Sequence, residues 1–317
     1  MPSSRGVTTI PDKGLGALIG LAVGDALGTT LEFKPRDTYP ELTDMIGGGP
    51  FHLRPGEWTD DTAMTLALAD SLIQCGELDQ THLMQRFVAW WRHGEYSCTG
   101  CCFDIGITTS TALARFEATG DPHSGSADAN SAGNGALMRL APVVLHWLGT
   151  NSGDPRKLAE LARQQGVVTH AATNSLEACE AFAECIRIAI VASNKEAIFE
   201  HAASLEFGPE IAHILSGSWR YKSRQQIRSS GFVLHSFEAA MWCFGQTDSF
   251  RDAVLLAANL GDDADTTSAI TGQLAGAFYG IEQIPSEWRQ RLAWYDKIET
   301  VGRALLGGVA AHVPNGS

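Results

Sequence analysis

Two short acidic segments, residues 59–62 and 262–267, carry the side chains best suited to chemistry. Both combine aspartates with threonines and read TDDT and DDADTT. Carboxylate and hydroxyl oxygens are hard ligands, which suit magnesium or manganese better than zinc. Two such sets brought together can hold a pair of divalent ions. The pattern therefore predicts a metal-dependent enzyme with two Mg²⁺ or Mn²⁺ ions as cofactors.

Each acidic segment precedes an apolar helical pattern, so a second interpretation stays open. Asp and Thr favour helix N-termini because they accept hydrogen bonds from free backbone N–H groups and offset the positive end of the helix dipole. A cap needs one carboxylate, whereas each segment crowds two or three, and like charges repel. A cation relieves this repulsion, so the repeated pattern favours a metal site over a pair of caps.

The composition limits the class of protein. The 317 residues contain no Pro/Ser-rich linker, which predicts one domain over 14–310 with tails at 1–13 and 311–317. The net charge of -13 argues against binding to nucleic acid or to an anionic membrane. The N-terminus does not read as a signal peptide, and the apolar stretch 15–31 carries Asp25 and is short for a membrane span.

The cysteines indicate the compartment. Seven cysteines in a chain of this length suit a reducing cytoplasm better than a disulfide framework, so a cytoplasmic protein is expected. Cys98 and Cys101 have CxxC spacing, but no second pair stands at zinc-finger distance. Zinc is therefore not predicted.

Helical periodicity dominates the chain. Glycines at 16, 20, 24 and 28 form one strip on a helix predicted over 14–28, which can pack very closely on a neighbour. Further helices are predicted from Asp60 to Cys75 and from Ala264 to Tyr279, each followed by a glycine. Other helical stretches lie near 80–92, 105–117, 136–148, 155–165, 173–192, 209–215, 231–244 and 249–259. Because period-two alternation is scarce, the predicted fold class is all-α.

A small, polar and flexible segment, residues 124–135, interrupts the helices. It ends in Gly133-Asn134-Gly135, directly before a predicted helix. Free N–H groups at a helix start can receive phosphate or ribose oxygens. The alternative is an ordinary surface loop.

Other candidates stand near helix ends. Asp25 and Glu32 flank the end of the first helix, and their carboxylates point the same way if the helix continues. Asp104 precedes a predicted helix and is by itself an N-cap candidate. His170 is the histidine of most interest, with a core or helix-start role as the alternative. The spacing supports no Ser-His-Asp or Cys-His set.

These motifs resemble, in the same order, those of the ADP-ribosylglycohydrolase family, which includes the dinitrogenase-reductase activating glycohydrolase. The resemblance covers roughly residues 14–300 and rests on GDALG with Glu32-Phe33, TDDT, GNGALMR, Thr169-His170 and GDDADTT. It implies a compact single-domain orthogonal helical bundle with two magnesium or manganese ions in a cleft. The implied reaction hydrolyses the bond between ADP-ribose C1″ and a modified protein side chain, with ADP-ribose as product.

The resemblance also implies roles for individual residues. The matched metal ligands are Thr59, Asp60, Asp61, Asp263, Asp265 and Thr266. Glu32 and Asp104 match active-site carboxylates with acid, base or positioning roles. The matched substrate-binding residues are Gly106, Gly133, Asn134, Gly135, Met138, His170 and Phe232. Asp262 replaces a glycine often found in the family, which leaves its contact with a metal open. Phe232 replaces a tyrosine of related bacterial enzymes, which keeps stacking but loses a hydroxyl contact.

The expected substrate is a protein carrying mono-ADP-ribose on arginine, and a monomeric enzyme is expected. Serine-linked or polymeric ADP-ribose is an alternative substrate. A two-metal phosphatase would also use the acidic segments, but it would need Arg or Lys at the phosphoryl group, and neither segment contains one. A non-catalytic ADP-ribose-binding relative would have lost ligands, whereas every matched ligand position carries an oxygen donor.

Overall fold

The computed structural model describes residues 8–150 and 153–307 as a set of packed α-helices. Within these residues no β-strand forms, and only isolated bridges occur. The all-α prediction is therefore confirmed. The helices are α1 (Ile10–Gly28), α2 (Asp60–Cys75), α3 (Gln80–His93), α4 (Ile107–Thr119), α5 (Ala141–Gly149), α6 (Pro155–Val167), α7 (Thr173–Val191), α8 (Lys195–Ala203), α9 (Pro209–Leu215), α10 (Val233–Gln246), α11 (Phe250–Ala258), α12 (Ala264–Tyr279), α13 (Ser286–Arg291) and α14 (Tyr295–Leu305).

Most predicted helices are present, and α2 and α12 have the predicted bounds. Helix α1 begins at Ile10, before the predicted start at 14. The predicted tail 311–317 lies outside the described residues. Helices α8, α13 and α14 were not predicted. The apolar spacing of α14, which buries Ile298 and Leu305, was nevertheless available in the sequence.

The prediction of a helix starting at Ala136 is wrong. Residues 134–139 form turns, and α5 begins at Ala141. The cause is Pro142, which lacks an N–H group and whose ring would clash with a carbonyl one turn earlier in a continuous helix. Proline is tolerated in the first turn, and that is where α5 places it. The polar loop therefore leads into turns before the helix.

Helices α1 and α12 form the centre of the fold. The glycine strip of α1 consists of Gly16, Gly20, Gly24 and Gly28 and lies against the α12 backbone. A Cβ atom at Gly16 would lie 2.2 Å from the Gly276 carbonyl oxygen, and one at Gly28 would lie 2.3 Å from that of Ala264. These contacts confirm the predicted close packing. They also show that the helices are antiparallel, so the end of α1 meets the start of α12.

The apolar length of this first helix has a structural explanation. Within the described residues, Ile10–Leu31 is the one helical segment long and apolar enough to cross a membrane. Its most apolar window has a mean hydropathy of 1.5 and is 100% buried inside the structure. Other helices surround it, as expected of a core helix.

We expect Gly24→Ala to destabilise the protein because the new Cβ meets backbone that cannot rotate away. It would lie 2.2 Å from the Ser268 carbonyl oxygen and 2.9 Å from the Ala269 nitrogen. Overpacking of this kind costs about 1–3 kcal/mol in the free energy of unfolding. Denaturant unfolding followed by circular dichroism measures the loss.

Gly14→Ala on the same helix is the matched control. Its nearest contact is the flexible tip of Leu306, at 3.2 Å. Alanine is favoured over glycine in a helix by about 1 kcal/mol, so the control should be as stable as the parent or more stable. An equal loss for both variants would contradict the explanation by backbone contact.

Candidate metal and substrate site

The first acidic segment is held in place by Asp25, from the end of α1. Asp25 is fully buried and accepts hydrogen bonds from the backbone N–H groups of Thr59 and Thr62 at 2.9 and 3.0 Å. It also accepts hydrogen bonds from both threonine hydroxyls, at 2.9 and 2.6 Å. Asp25 therefore caps α2 from another helix, and Thr59, the N-cap residue, makes no side-chain cap bond of its own.

The second acidic segment is held in the same way by Glu32. After α1 a short 3₁₀ turn, Thr29–Leu31, brings Glu32 to the start of α12. One carboxylate oxygen accepts hydrogen bonds from the N–H groups of Ala264 and Asp265 at 2.8 and 3.3 Å. Asp263, the N-cap residue of α12, makes no side-chain cap bond. The interpretation of the acidic segments as simple caps is therefore not supported, because residues elsewhere cap both helices.

Two groups of carboxylates near these helix starts share Asp265. Ligand atoms of Asp25, Asp61 and Asp265 lie within 4.8 Å of one another, and so do those of Glu32, Asp263 and Asp265. One oxygen of Asp61, Oδ1, is buried without a hydrogen-bond partner. An orphaned carboxylate oxygen among other carboxylates is costly unless a cation neutralises it. The donor set is all oxygen and fits hard divalent cations.

The pKa values report the same crowding. Burial, followed by the charge of Asp61, raises the pKa of Asp60 well above its usual value. Burial and the charge of Asp25 do the same to the pKa of Asp61. Burial and the charge of Asp265 raise the pKa of Asp25, and separately that of Asp263, to about 7. A cluster in which carboxylates lie this close together is one that a cation stabilises.

The hydroxyl groups of both predicted ligand sets lie among these carboxylates. The Thr59 hydroxyl lies 3.2 Å from Asp61 Oδ2 and 3.3 Å from Asp265 Oδ2. The Thr266 hydroxyl lies 3.4 Å from the same Asp61 oxygen. Residues of both segments therefore share one oxygen-lined volume, as the sequence predicted.

A cleft of about 460 Å³ opens above this cluster. Most predicted site residues line it, namely Glu32, Asp60, Asp104, Gly106, Gly133, Asn134, Gly135, Met138, His170, Asp263, Asp265 and Thr266. Thr59 and Asp61 lie buried beneath it. Further lining residues were not predicted from the sequence, namely Phe33, Ile105, Ile107, Thr108, Thr109 and Gly231. Phe33 and Ile107 are large exposed apolar residues. In the sequence each directly follows a predicted site residue, and that position was a usable signal.

The loop near Gly133 differs in detail from the expectation. The N–H groups of Gly133 and Asn134 already bond to the carbonyl oxygens of Ser131 and Gly231, so they are not free for a diphosphate. Within the described part of the chain, the N–H group of Gly135 has no acceptor, and it remains the better candidate. The Asn134 side chain donates to Asp263 Oδ2 at 2.6 Å. The loop therefore also orients a predicted metal ligand.

Phe232 is the predicted substrate-binding residue that does not line the cleft. Its half-buried ring lies edge-on to the His235 ring, with 5.3 Å between centroids. Its neighbour Gly231 lines the cleft, and Phe232 is bridged to Gly133 through the backbone. Stacking of Phe232 on ADP-ribose stays a prediction.

A second lobe of about 490 Å³ adjoins the cleft and is lined by Phe33, Ser230, Gly231 and Asp262 together with Glu32 and Asp263. Asp262 adopts a left-handed conformation with φ 57°. Its N–H donates to the Lys34 carbonyl, and its carbonyl accepts from the Phe33 N–H. The Asp262 side chain is exposed and belongs to neither carboxylate group described above, so it faces solvent at the mouth of the lobe.

This fold and site define an all-helical protein with an acidic cleft suited to divalent cations. The sequence matches the model of the ADP-ribosylglycohydrolase family over residues 7–314. The chain therefore belongs to the ADP-ribosylglycohydrolase family and is a glycohydrolase.

Individual relatives agree with this assignment. The chain is 45% identical to an ADP-ribosylarginine hydrolase of Serratia proteamaculans, over 93% of this chain and 79% of that protein. It is 34% identical to the ADP-ribosyl-[dinitrogen reductase] glycohydrolase of Rhodospirillum rubrum, over 90% and 91% of the two chains. A solved structure described as an ADP-ribosylglycohydrolase-related protein complex matches with a TM-score of 0.82 and 40% identity, covering 94% of this chain and 98% of that one.

Proposed function

We propose that the protein hydrolyses the N-glycosidic bond between ADP-ribose and an arginine side chain of a modified protein. The observation that carries the proposal is the pair of largely buried carboxylate groups that share Asp265 at the base of the cleft. The relative from Serratia proteamaculans is an ADP-ribosylarginine hydrolase, which supports the arginine linkage. Hydrolysis would yield free ADP-ribose and an unmodified arginine side chain.

Two Mg²⁺ or Mn²⁺ ions are the proposed cofactors. The first would be held by Thr59, Asp60 and Asp61, and the second by Asp263, Asp265 and Thr266. When bound, the ions would supply positive charge to orient ribose hydroxyls and to stabilise developing negative charge. The orphaned Asp61 oxygen and the all-oxygen donor set support this assignment.

The reaction joins the oxygen of a water molecule to C1″ and breaks the C1″–N bond, whose electron pair stays on nitrogen. The departing guanidine nitrogen then takes up one proton, which balances the proton that the water loses. Glu32 is pinned by two N–H groups of α12, which suits a positioning role. Asp104 lines the cleft, and none of the described backbone N–H groups donates to its carboxyl. We assign Asp104 the proton transfer to guanidine, because its carboxyl is the less constrained of the two.

Charge at the cleft favours arginine over serine. A guanidinium group is positive, and Asp262 offers an exposed carboxylate in the second lobe beside Glu32. No ion pair engages Asp262 among the residues that the structure describes. An oxygen-linked serine substrate has no positive charge at the linkage and would gain nothing from this group.

Hydrolysis of phosphomonoesters is the competing activity. The lining of the cleft contains no arginine or lysine within the described ranges, which disfavours phosphoryl transfer, because such residues would stabilise the charge on the transferred group. The decisive experiment is a release assay on proteins modified at defined arginine or serine sites, with a phosphomonoester in parallel. Release from arginine alone is expected. Release from serine alone would overturn the linkage, and phosphomonoester hydrolysis alone would overturn the reaction.

Asp262→Asn should raise KM for arginine-linked substrate about two- to fivefold with kcat unchanged, as expected for loss of an exposed ion pair. Asparagine tolerates the left-handed backbone, so the loop should keep its shape. Steady-state kinetics on a modified arginine peptide measures the effect. Affinity for free ADP-ribose is the internal control, and a matching loss there would show that Asp262 acts on the nucleotide instead.

The proposed setting is a monomer in the cytoplasm. One chain supplies every proposed ligand, so no partner subunit is needed to complete the site. All seven cysteines lie within the described residues and are free, which suits a reducing compartment. The proposed partner is the ADP-ribosylated target protein.

A further inference from the structure

Arg139 is a fully buried arginine that the proposed reaction does not use. Its Nε donates to Gln165 Oε1 at 3.0 Å, and its Nη2 donates to the Gln165 carbonyl at 2.9 Å and to the Thr169 hydroxyl at 2.8 Å. The guanidinium also lies 4.5 Å from the centre of the Phe87 ring. No carboxylate of the described residues forms a salt bridge with it. Charged side chains are rarely buried without such a partner.

The hydrogen bonds from Arg139 lead to the cleft through Thr169 and His170. The Thr169 hydroxyl lies 2.8 Å from His170 Nδ1. His170 lines the cleft, and its Nε2 makes no hydrogen bond to any described residue. A Cβ atom at Gly133 or Gly135 would lie 3.2 or 3.0 Å from Nε2. The two glycines therefore leave room for the ring edge at the cleft wall.

The direction of each hydrogen bond follows from the donors available. Guanidinium has only donors, so Thr169 must accept from Arg139. The Thr169 hydroxyl has one proton, and His170 Nδ1 is the acceptor within reach among the described residues. His170 Nδ1 then carries no proton, and in a neutral ring the proton is on Nε2. Burial and the charge of Arg139 lower the pKa of His170 to about 3, which keeps the ring neutral.

We infer that Arg139 and Thr169 are positioning residues that fix His170 in the Nε2–H tautomer and aim this N–H at an oxygen of bound ADP-ribose. The buried guanidinium selects the proton position on a ring that it does not touch. The identity of the ligand, ADP-ribose, rests on the proposed function, whereas the tautomer of His170 does not.

The first experiment determines the tautomer in the unmodified protein. Nitrogen-15 NMR of histidine-labelled protein, with His170 assigned through His170→Gln, distinguishes a protonated from an unprotonated ring nitrogen. An unprotonated Nδ1 and a protonated Nε2 are expected. A protonated Nδ1 would overturn the inference, and this measurement needs no substrate and no variant of Arg139 or Thr169.

The second experiment compares Thr169→Val with Thr169→Ser. Valine removes the hydroxyl at similar volume, and serine retains it. The valine variant should lose the fixed tautomer and bind ADP-ribose roughly three- to tenfold more weakly, as expected for one impaired hydrogen bond. The serine variant should match the parent in both readouts. Equal calorimetric affinities for the two variants would overturn the role in binding.

These readouts separate this inference from the proposed function. If arginine-linked substrate is not hydrolysed but the tautomer and the ADP-ribose affinities are as expected, only the proposed reaction fails. If hydrolysis is normal and His170 carries its proton on Nδ1, only the inference fails. Circular dichroism of both Thr169 variants shows whether a loss of affinity comes from misfolding.

Discussion

Asp61→Asn is expected to abolish most hydrolysis while making the metal-free protein more stable. Asp61 is fully buried, and one of its oxygens has no hydrogen-bond partner. Asparagine keeps the shape, removes one negative charge and places an N–H donor among carboxylates. Removing an unsatisfied buried group is worth about 1–3 kcal/mol, so the free energy of unfolding without metal should rise by that order.

The loss of activity is expected because the negative charge of Asp61 is needed to hold the cation. A bound cation contributes several kcal/mol to a reaction of this type, so the expected fall in kcat/KM is about 10²- to 10⁴-fold. The parent should gain thermal stability when Mn²⁺ or Mg²⁺ is added, because a ligand that binds only the folded state stabilises it. The variant should show a much smaller gain.

Thermal unfolding with and without added Mn²⁺, together with the release assay, measures both effects. Asp248→Asn is the control, because Asp248 is exposed. This substitution removes the same charge far from the cluster. It should keep full activity and the full response to metal. Undiminished turnover by Asp61→Asn after exhaustive chelation would contradict a metal role. A purely capping role would instead lower stability by about 0.5–2 kcal/mol and leave the chemistry unchanged.

Asp104→Asn is expected to lower kcat about 10²- to 10⁴-fold, the usual contribution of one acid–base group. Affinity for free ADP-ribose should change little. Asp104 has a left-handed backbone, with φ 60°, and asparagine adopts this conformation readily. The variant should therefore fold normally and lack only the ability to transfer a proton.

Single-turnover kinetics measures the rate of hydrolysis, and calorimetry measures the affinity for free ADP-ribose. Asp37→Asn is the matched control, because Asp37 also has a positive φ, 62°, but is exposed and pairs with Arg224 at 2.7 Å outside the cleft. The control should be fully active. If Asp104→Asn turned over arginine-linked substrate at the parent rate, the assignment of the proton transfer would fail. If it lost affinity and kcat in equal measure, Asp104 would be a binding residue.

Much of the site can be predicted from sequence because its parts are local. Aspartates and threonines at the start of α2 and of α12 are adjacent in the chain, and the apolar spacing after them predicts both helices. The Gly133 loop and His170 are likewise short motifs with characteristic residue types. The prediction failed at 136–140, where the apolar run outweighed the signal of Pro142.

Tertiary structure alone decided how these parts meet. Asp25 caps a helix start 34 residues away, and Glu32 caps one 232 residues away. Helical periodicity shows which face of α1 is small or apolar, but it does not name the partner of that face. The close contact of α1 with α12 selects the partner, because only facing backbones without side chains can approach so closely. The sequence determined the residue types of the candidate ligands, and packing between distant helices determined that they converge on one cleft.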